Sequence, residues 1–543
     1  MPKTTTVGQY LIHRIQELGV NHVFGVPGDY VLGFYDMLVE SDLHVVGTCT
    51  EAGAGFAADA YARVNGLGVV CITYCVGGLN TINSVAGAYA EKSPMVVISG
   101  APGLGERVRS PLLHHKVRDY TTQLEIFEKV TVASVAIEEA GSAPRLIDDT
   151  LEACRRQMRP VYIELPRDIV DKRCPAPQPW KPRRLVSDKP VLKEAVAEAA
   201  EMLRGAKRPV ILAGVEIHRF GLQNTLLKLV EKLGCPVAAT LLGKSVITEN
   251  HPQYIGIYEG AMGREDVCRR VESADCVLIL GAFMTDINLG IDTANLEIAK
   301  TINATSERIA IKHHNYENVK LKHFIGALGE AKIGPRRTFT FKHPAPRPYR
   351  PKKNAPMTIA RFFQRMNEQL HEKTVVICDI GDSLFGAADL TIHRRTEFLS
   401  PAYYTSMGFA VPAAIGAQMA KPRLRPIVFV GDGAFQMTGQ ELSTIAKEGL
   451  NPVIFVLNNK GYSTERFIID GPYNDIHDWA FEKMPELLRA GFGCEVHTEE
   501  DLEEALAAAK KHRKTFSIIN VHLDPYDRSP AMERLGKRLG KRV

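Results

Sequence analysis

Short apolar runs alternate with helix-period segments along the whole chain, and that alternation admits few architectures. A run that is apolar on both faces and is followed by a helical crossover packs as one strand of a parallel sheet covered by helices. In the first third the runs fall near Val23–Val26, Val45–Thr48, Val69–Thr73, Met95–Ser99 and Val161–Glu164. In the middle third they fall at Pro209–Ala213, Pro236–Ala239, Val277–Gly281 and Ile309–Lys312. In the last third a helical pattern over Met357–His371 precedes the runs Val375–Cys378, Pro426–Val430 and Pro452–Leu457. Two stretches break the pattern: Cys174–Pro190, rich in Pro, Lys and Arg, and Phe341–Pro356, which carries five prolines. The expected fold class is α/β, with three doubly wound parallel-sheet domains at 1–182, 190–340 and 357–543.

Composition narrows the function. The 543 residues carry a net charge of only +5, and the basic clusters 347–353 and 537–542 fall in a linker and at the C-terminus, so no nucleic-acid partner is expected. The helical pattern of Met1–Gly19 carries His13, Arg14 and Glu17 without an apolar signal core, and no apolar run reaches membrane-spanning length. Ten cysteines without CxxC spacing read as reduced thiols, so a cytoplasmic chain with no membrane partner is expected. Two nucleotide-like stretches are discounted. Leu242-Gly243-Lys244-Ser245 ends like a P-loop but has Ala238 where the first glycine is needed, and Gly100, Gly103 and Gly105 are not spaced as GxGxxG.

The motif with chemical content is Gly431-Asp432-Gly433, followed after residues 434–457 by Asn458-Asn459. Each ends a buried apolar run, and the helical pattern Gly439–Gly449 lies between them. Mg²⁺ takes about six oxygens in octahedral geometry and shares them between one or two carboxylates, phosphates and water. Asp432 offers a carboxylate, Asn459 an amide oxygen, and the turn through Lys460-Gly461 a backbone carbonyl. Strand ends facing a helix N-terminus suit a phosphate. Either motif alone reads as a tight turn; together, on two strand ends joined by one crossover helix, they read as a magnesium-diphosphate site.

With these residues the chain resembles, almost end to end, the thiamine-diphosphate-dependent 2-oxo acid decarboxylases that act on pyruvate, indolepyruvate and branched-chain oxo acids. The resemblance implies the cofactors thiamine diphosphate and Mg²⁺, with Asp432, Asn459 and Gly461 at the metal. It assigns Thr73, Val76, Asp382, Ser406, Gly433, Ala434 and Tyr462 to the cofactor, and Met407 to the support beneath its two rings, where plain core packing is the simpler alternative. Glu51, opening the small-residue helix Ala52–Arg63, is then the carboxyl that contacts the pyrimidine ring; helix capping is its plainer role. Asp29 in Val26-Pro27-Gly28-Asp29, the pair His114-His115, and Glu465 complete the expected catalytic set, and the histidine pair argues against the carboligating relatives, which share the cofactor motif. A noncatalytic protein of the same fold would have no use for Glu51, Asp29 and Glu465.

The resemblance further places Ile380, Leu384, Thr464, Ile468, Leu535 and Leu539 around the substrate. Pyruvate-specific bacterial members carry Trp and Ile at the Leu384 and Thr464 positions. A roomier pocket, preferring branched-chain, longer aliphatic or aromatic 2-oxo acids, is therefore expected. Because Glu51 and Asp432 belong to different domains, the resemblance implies an active site between two chains, with a dimer as the minimum assembly and a tetramer expected. The segment Gly214–Arg219 lacks a cysteine where a regulatory thiol would stand, and the middle domain is expected to hold structure without a nucleotide.

Overall fold

The computed structural model describes residues 3–334, 338–342, 348–393 and 397–539. The basic clusters 347–353 and 537–542 lie partly outside these residues. The first sheet orders its six strands as His44–Gly47, His22–Gly25, Gly68–Ile72, Met95–Ala101, Val161–Pro166 and Ser134–Ala136, all parallel. The last sheet is likewise parallel, in the order Glu397–Leu399, Thr374–Cys378, Arg425–Gly431, Val453–Asn458, Ser517–His522 and Phe492–Val496. Numbered by chain order within each sheet, both read 2-1-3-4-6-5. The first and last domains are two copies of one topology. In each, the direction of winding reverses between strands 1 and 3, and the crevice at such a reversal is where open α/β sheets bind ligands.

The middle sheet has seven strands, of which Tyr254–Ile257, Val237–Ala239, Pro209–Ala213, Cys276–Leu280 and Thr301–Ala304 are parallel. The run at Ile309–Ile311 departs from the expected parallel pattern. It forms an antiparallel hairpin with His314–Tyr316, because only four residues, Thr305–Arg308, separate it from Thr301–Ala304, too few for a crossover helix. The pattern over Met357–His371 narrows to the helix Ile359–Asn367, since Pro356 precedes it and Thr358 caps it by accepting from the Arg361 N–H. The Gly439–Gly449 pattern becomes a 3₁₀ turn, Gly439–Glu441, followed by the helix Leu442–Lys447.

Two equivalent helices, each following strand 2 of its sheet, join the outer domains. Glu51–Asn65 packs across Ala410–Ala420 through small residues, among them Ala54, Ala57, Ala58, Ala413, Ala414 and Gly416. One apolar core runs through this crossing from the first domain into the third. The buried side chain of Arg63 binds Asp59 at 2.7 Å and Glu91 at 2.8 Å, and donates to the Ser400 carbonyl across the same seam. Lys244 of the discounted P-loop stretch is also buried. It binds Glu249 and the carbonyls of Ala388 and Leu390, tying the middle domain to the third. All ten cysteines are free. No helix among the described residues is long and apolar enough to cross a membrane.

Candidate active site in two halves

The third domain builds one half at the ends of strands Arg425–Gly431 and Val453–Asn458, which pair with Gly431 opposite Leu457. Asp432 opens the next helix and is buried; its carboxylate accepts from Gly433 N–H at 2.8 Å and Gly461 N–H at 3.0 Å. Burial pushes its pKa up to about 6, against the opposing pull of those backbone donors. Asn459 is buried beside it, and its Oδ1 has no hydrogen-bond partner. An unpartnered buried amide oxygen next to a desolvated carboxylate is costly unless a cation joins the two. The residues present therefore fit a hard divalent ion such as Mg²⁺.

Backbone geometry at this turn needs glycine. Gly461 has φ 149°, and a Cβ there would stand 2.0 Å from the Asn474 carbonyl oxygen. A Cβ on Gly433 would meet the Tyr462 ring at 2.5 Å. Arg466 holds the turn from below, donating to the carbonyls of Asn459 at 3.1 Å and Lys460 at 2.8 Å.

A cleft of ≈ 320 Å³ opens above this turn, lined by Asp432, Gly433, Ala434, Asn459, Gly461 and Tyr462 together with Ile380, Asp382, Met407, Thr464 and Glu465. Asp382 accepts from the backbone N–H and the hydroxyl of Ser529, fastening the cleft wall to the C-terminal helix Pro530–Leu539. Its carboxyl is pushed up to about 6 by burial, with the Ser529 bonds pulling the other way.

Sequence reasoning passed over several contributors. Ile287 of the middle domain, Ile359 and Phe385 supply apolar wall. The fully buried Asp379 accepts from the Gly408 and Ala410 N–H groups, shaping the turn that presents Met407. A carboxylate directly after the apolar run Val375–Cys378 was the available signal for Asp379; Ile287 comes from a distant domain and left none.

The expected substrate set does not assemble as a whole. Leu384 is fully buried in the core, because the helix Asp382–Ala387 turns that face inward while Ser383 and Phe385 face the cleft. Leu535 is likewise packed in the core, and Ile468 is 76 % exposed at the end of Ser463–Ile468. None of these three lines the cleft. The side chain of Leu539 lies outside the described residues. Ser406 stands apart from the cleft lining and accepts from Asn83 of the first domain at 2.7 Å.

The other half lies at the strand ends of the first domain. Asp29 follows strand His22–Gly25, Glu51 opens the helix after His44–Gly47, and Thr73 and Val76 follow Gly68–Ile72. They are neighbours: a Cβ on Gly28 would meet Thr73 at 2.5 Å, and one on Gly77 would lie 3.3 Å from Thr73 and 3.4 Å from Glu51 Oε1. Thr73 Oγ1 is buried without a partner, and Glu51 accepts from Asn80 Nδ2 at 2.7 Å. His114 Nε2 donates to Asp29 Oδ2 at 2.8 Å, and its ring stacks on Tyr30 at 4.6 Å. His115, at φ 66°, turns edge-on to His114 at 4.8 Å and buries an unpartnered Nδ1. None of Asp29, Glu51, Thr73, Val76, His114 and His115 lines the third-domain cleft of the same chain.

Comparison with known families agrees with this division. The N-terminal TPP (thiamine pyrophosphate, that is, thiamine diphosphate) binding domain of the thiamine pyrophosphate enzymes matches residues 5–126, their central domain 196–330, and their C-terminal TPP binding domain 379–521. Indole-3-pyruvate decarboxylase of Azospirillum brasilense is 36 % identical over 520 residues, 94 % of each chain. A probable pyruvate decarboxylase of Schizosaccharomyces pombe is 32 % identical, covering 99 % of this chain and 97 % of its own. An alpha-keto-acid decarboxylase of Mycobacterium avium is 34 % identical, covering 95 % and 94 %. With two strand-end clusters, an ion-ready turn and relatives matched from end to end, this chain belongs to the thiamine-diphosphate-dependent 2-oxo acid decarboxylases.

Proposed function

We propose that the chain decarboxylates 2-oxo acids without oxidation, releasing aldehyde and CO₂, and that it prefers branched-chain, longer aliphatic or aromatic substrates to pyruvate. The observation that carries the site is the Asp432–Asn459 pair, a desolvated carboxylate beside an unpartnered amide oxygen. These two, with the Gly461 turn, would hold Mg²⁺ and through it the diphosphate. Thiamine diphosphate, when bound, supplies the electron sink for the pair released as CO₂ departs.

The chain's own residues orient and move protons. Glu51, with Thr73 and Val76, would hold the pyrimidine end, while Met407, in the wall of the cleft, would support the rings. Glu465, in the cleft wall, would stand near the departing carboxylate and disfavour retention of its negative charge. Asp29 and His114, already joined at 2.8 Å, form with His115 the acid-base group that protonates the substrate carbon and assists aldehyde release.

The apolar wall of Ile287, Ile359, Ile380 and Phe385 supports the larger substrates, since each additional buried methylene contributes ~0.8 kcal/mol. Assembly into at least a dimer, with a tetramer expected, is proposed on the separation of the two halves and on the apolar side chains around them. Val76 is 55 % and Leu112 95 % exposed in the single chain.

The test follows CO₂ and aldehyde together across a panel of 2-oxo acids, omitting thiamine diphosphate and Mg²⁺ in turn. Equal, cofactor-dependent release of both supports the reading, and kcat/KM should be higher on 4-methyl-2-oxopentanoate than on pyruvate. Acyloin in place of free aldehyde would make the chain a carboligase; a clear pyruvate preference would end the large-pocket reading.

A further inference from the structure

We propose that Glu495, His497 and His522 form a surface site for a divalent transition-metal ion of the zinc class, separate from the Asp432–Asn459 turn. The placement follows from strand register. Edge strand Phe492–Val496 runs parallel to Ser517–His522 with Val496 opposite Val521, so the next residue on each, His497 and His522, stand side by side. Glu495, two residues before His497, projects from the same face.

The donor atoms converge. Glu495 Oε1 lies 3.1 Å from His522 Nε2 and 3.9 Å from His497 Nε2, and the three residues' donor atoms lie within 4.8 Å of one another. Zinc bonds of ~2.0–2.2 Å at tetrahedral angles separate donors by roughly 3.3–3.6 Å, inside that spread. The two imidazoles stack with centroids 4.1 Å apart and 6° between planes. As stacked, the parallel rings do not aim their lone pairs at one point, so binding requires each ring to turn about its broad χ2 torsion, and the exposed position of His497 leaves room for it.

The backbone beneath is fixed. The His497 N–H donates to Asp501 Oδ2 at 3.0 Å, its carbonyl accepts from Met357 N–H at 2.8 Å, and the Asp501 carboxylate adds negative charge nearby. Two imidazoles and one carboxylate suit Zn²⁺, Co²⁺, Ni²⁺ or Cu²⁺ over Mg²⁺ or Ca²⁺ and leave a fourth position for water. The residues of the candidate active site are untouched by this grouping, so occupancy and turnover can be read separately.

The test uses chelator-stripped protein reloaded with thiamine diphosphate and Mg²⁺, then titrated with Zn²⁺ against a chromophoric competitor and with Co²⁺ by visible absorption. Asp29, His114 and His115 also converge, so the comparison is between wild type and the variants H497A, H522A and the double variant. One site per chain should weaken by about 100-fold or more in each variant, with CO₂ release unchanged as proof of folding. Equal Zn²⁺ stoichiometry and affinity in the double variant would overturn the proposal, as would the absence of any Co²⁺ d–d absorption that the double variant removes.

Discussion

Two buried groups define what single residues contribute. Asn459 Oδ1, unpartnered beside Asp432, is expected to matter through the ion it meets. Asn459→Ala should weaken Mg²⁺ binding about tenfold or more, ~1.4 kcal/mol, in calorimetric titration of the apoprotein with thiamine diphosphate in excess; an unchanged Kd would remove Asn459 from the metal site. Glu259 is the second group. It is fully buried in the middle domain, neither oxygen has a hydrogen-bond partner, and burial followed by the nearby Asp389 raises its pKa to about 8 from 4.5. A raised folded pKa gives stability that is complete below 4.5 and is lost as pH rises to about 8, at ~1.4 kcal/mol per pH unit. Glu259→Gln has no such slope, so its thermal midpoint should gain on wild type between pH 5.5 and 8.5; parallel pH profiles would refute this. Asp432 and Asn459 were legible from sequence because both stand at strand ends inside a spaced motif. Glu259 was not, because a lone glutamate carries no sign of burial.

At the scale of elements, the crossing of Glu51–Asn65 with Ala410–Ala420 sets how the outer domains meet. A Cβ on Gly416 would stand 1.9 Å from the Ala57 carbonyl oxygen and 2.8 Å from the Tyr61 nitrogen, both backbone atoms that cannot swing aside. Gly416→Ala should therefore force the helices apart, cost ~1–3 kcal/mol, and lower the thermal midpoint by several degrees; an unaltered midpoint would mean the approach is looser. Sequence patterning found the strand near Val45–Thr48 that feeds the first helix, since buried parallel strands are continuous apolar runs, but not the three-residue edge strand Glu397–Leu399 that feeds the second. It did not find the antiparallel hairpin at Ile309–Tyr316, whose direction depends on a loop too short for a crossover. The substrate residues show the same limit. Leu384 and Phe385 are adjacent and both apolar, yet only Phe385 faces the cleft, and which face a short helix turns inward is settled by its neighbours.

For the whole molecule, the two half-sites make a prediction about assembly. If each site joins the first domain of one chain to the third domain of another, chains carrying Glu51→Ala and chains carrying Asp432→Ala should complement when reassembled together. Random pairing then gives about a quarter of wild-type CO₂ release, one intact site in each mixed dimer; no recovery would place the site within a single chain. The sequence by itself determined the α/β class, the three large sheets and the Asp432–Asn459 motif, because apolar periodicity and strand-end chemistry are local properties; the small antiparallel pair Thr4–Thr6 with Arg173–Pro175 was not legible. Only the tertiary structure decided that the outer domains share one strand order, that Ile287 reaches the cleft from the middle domain, and that the two halves stand apart in one chain. Those relations depend on how distant segments pack, which no window of sequence contains.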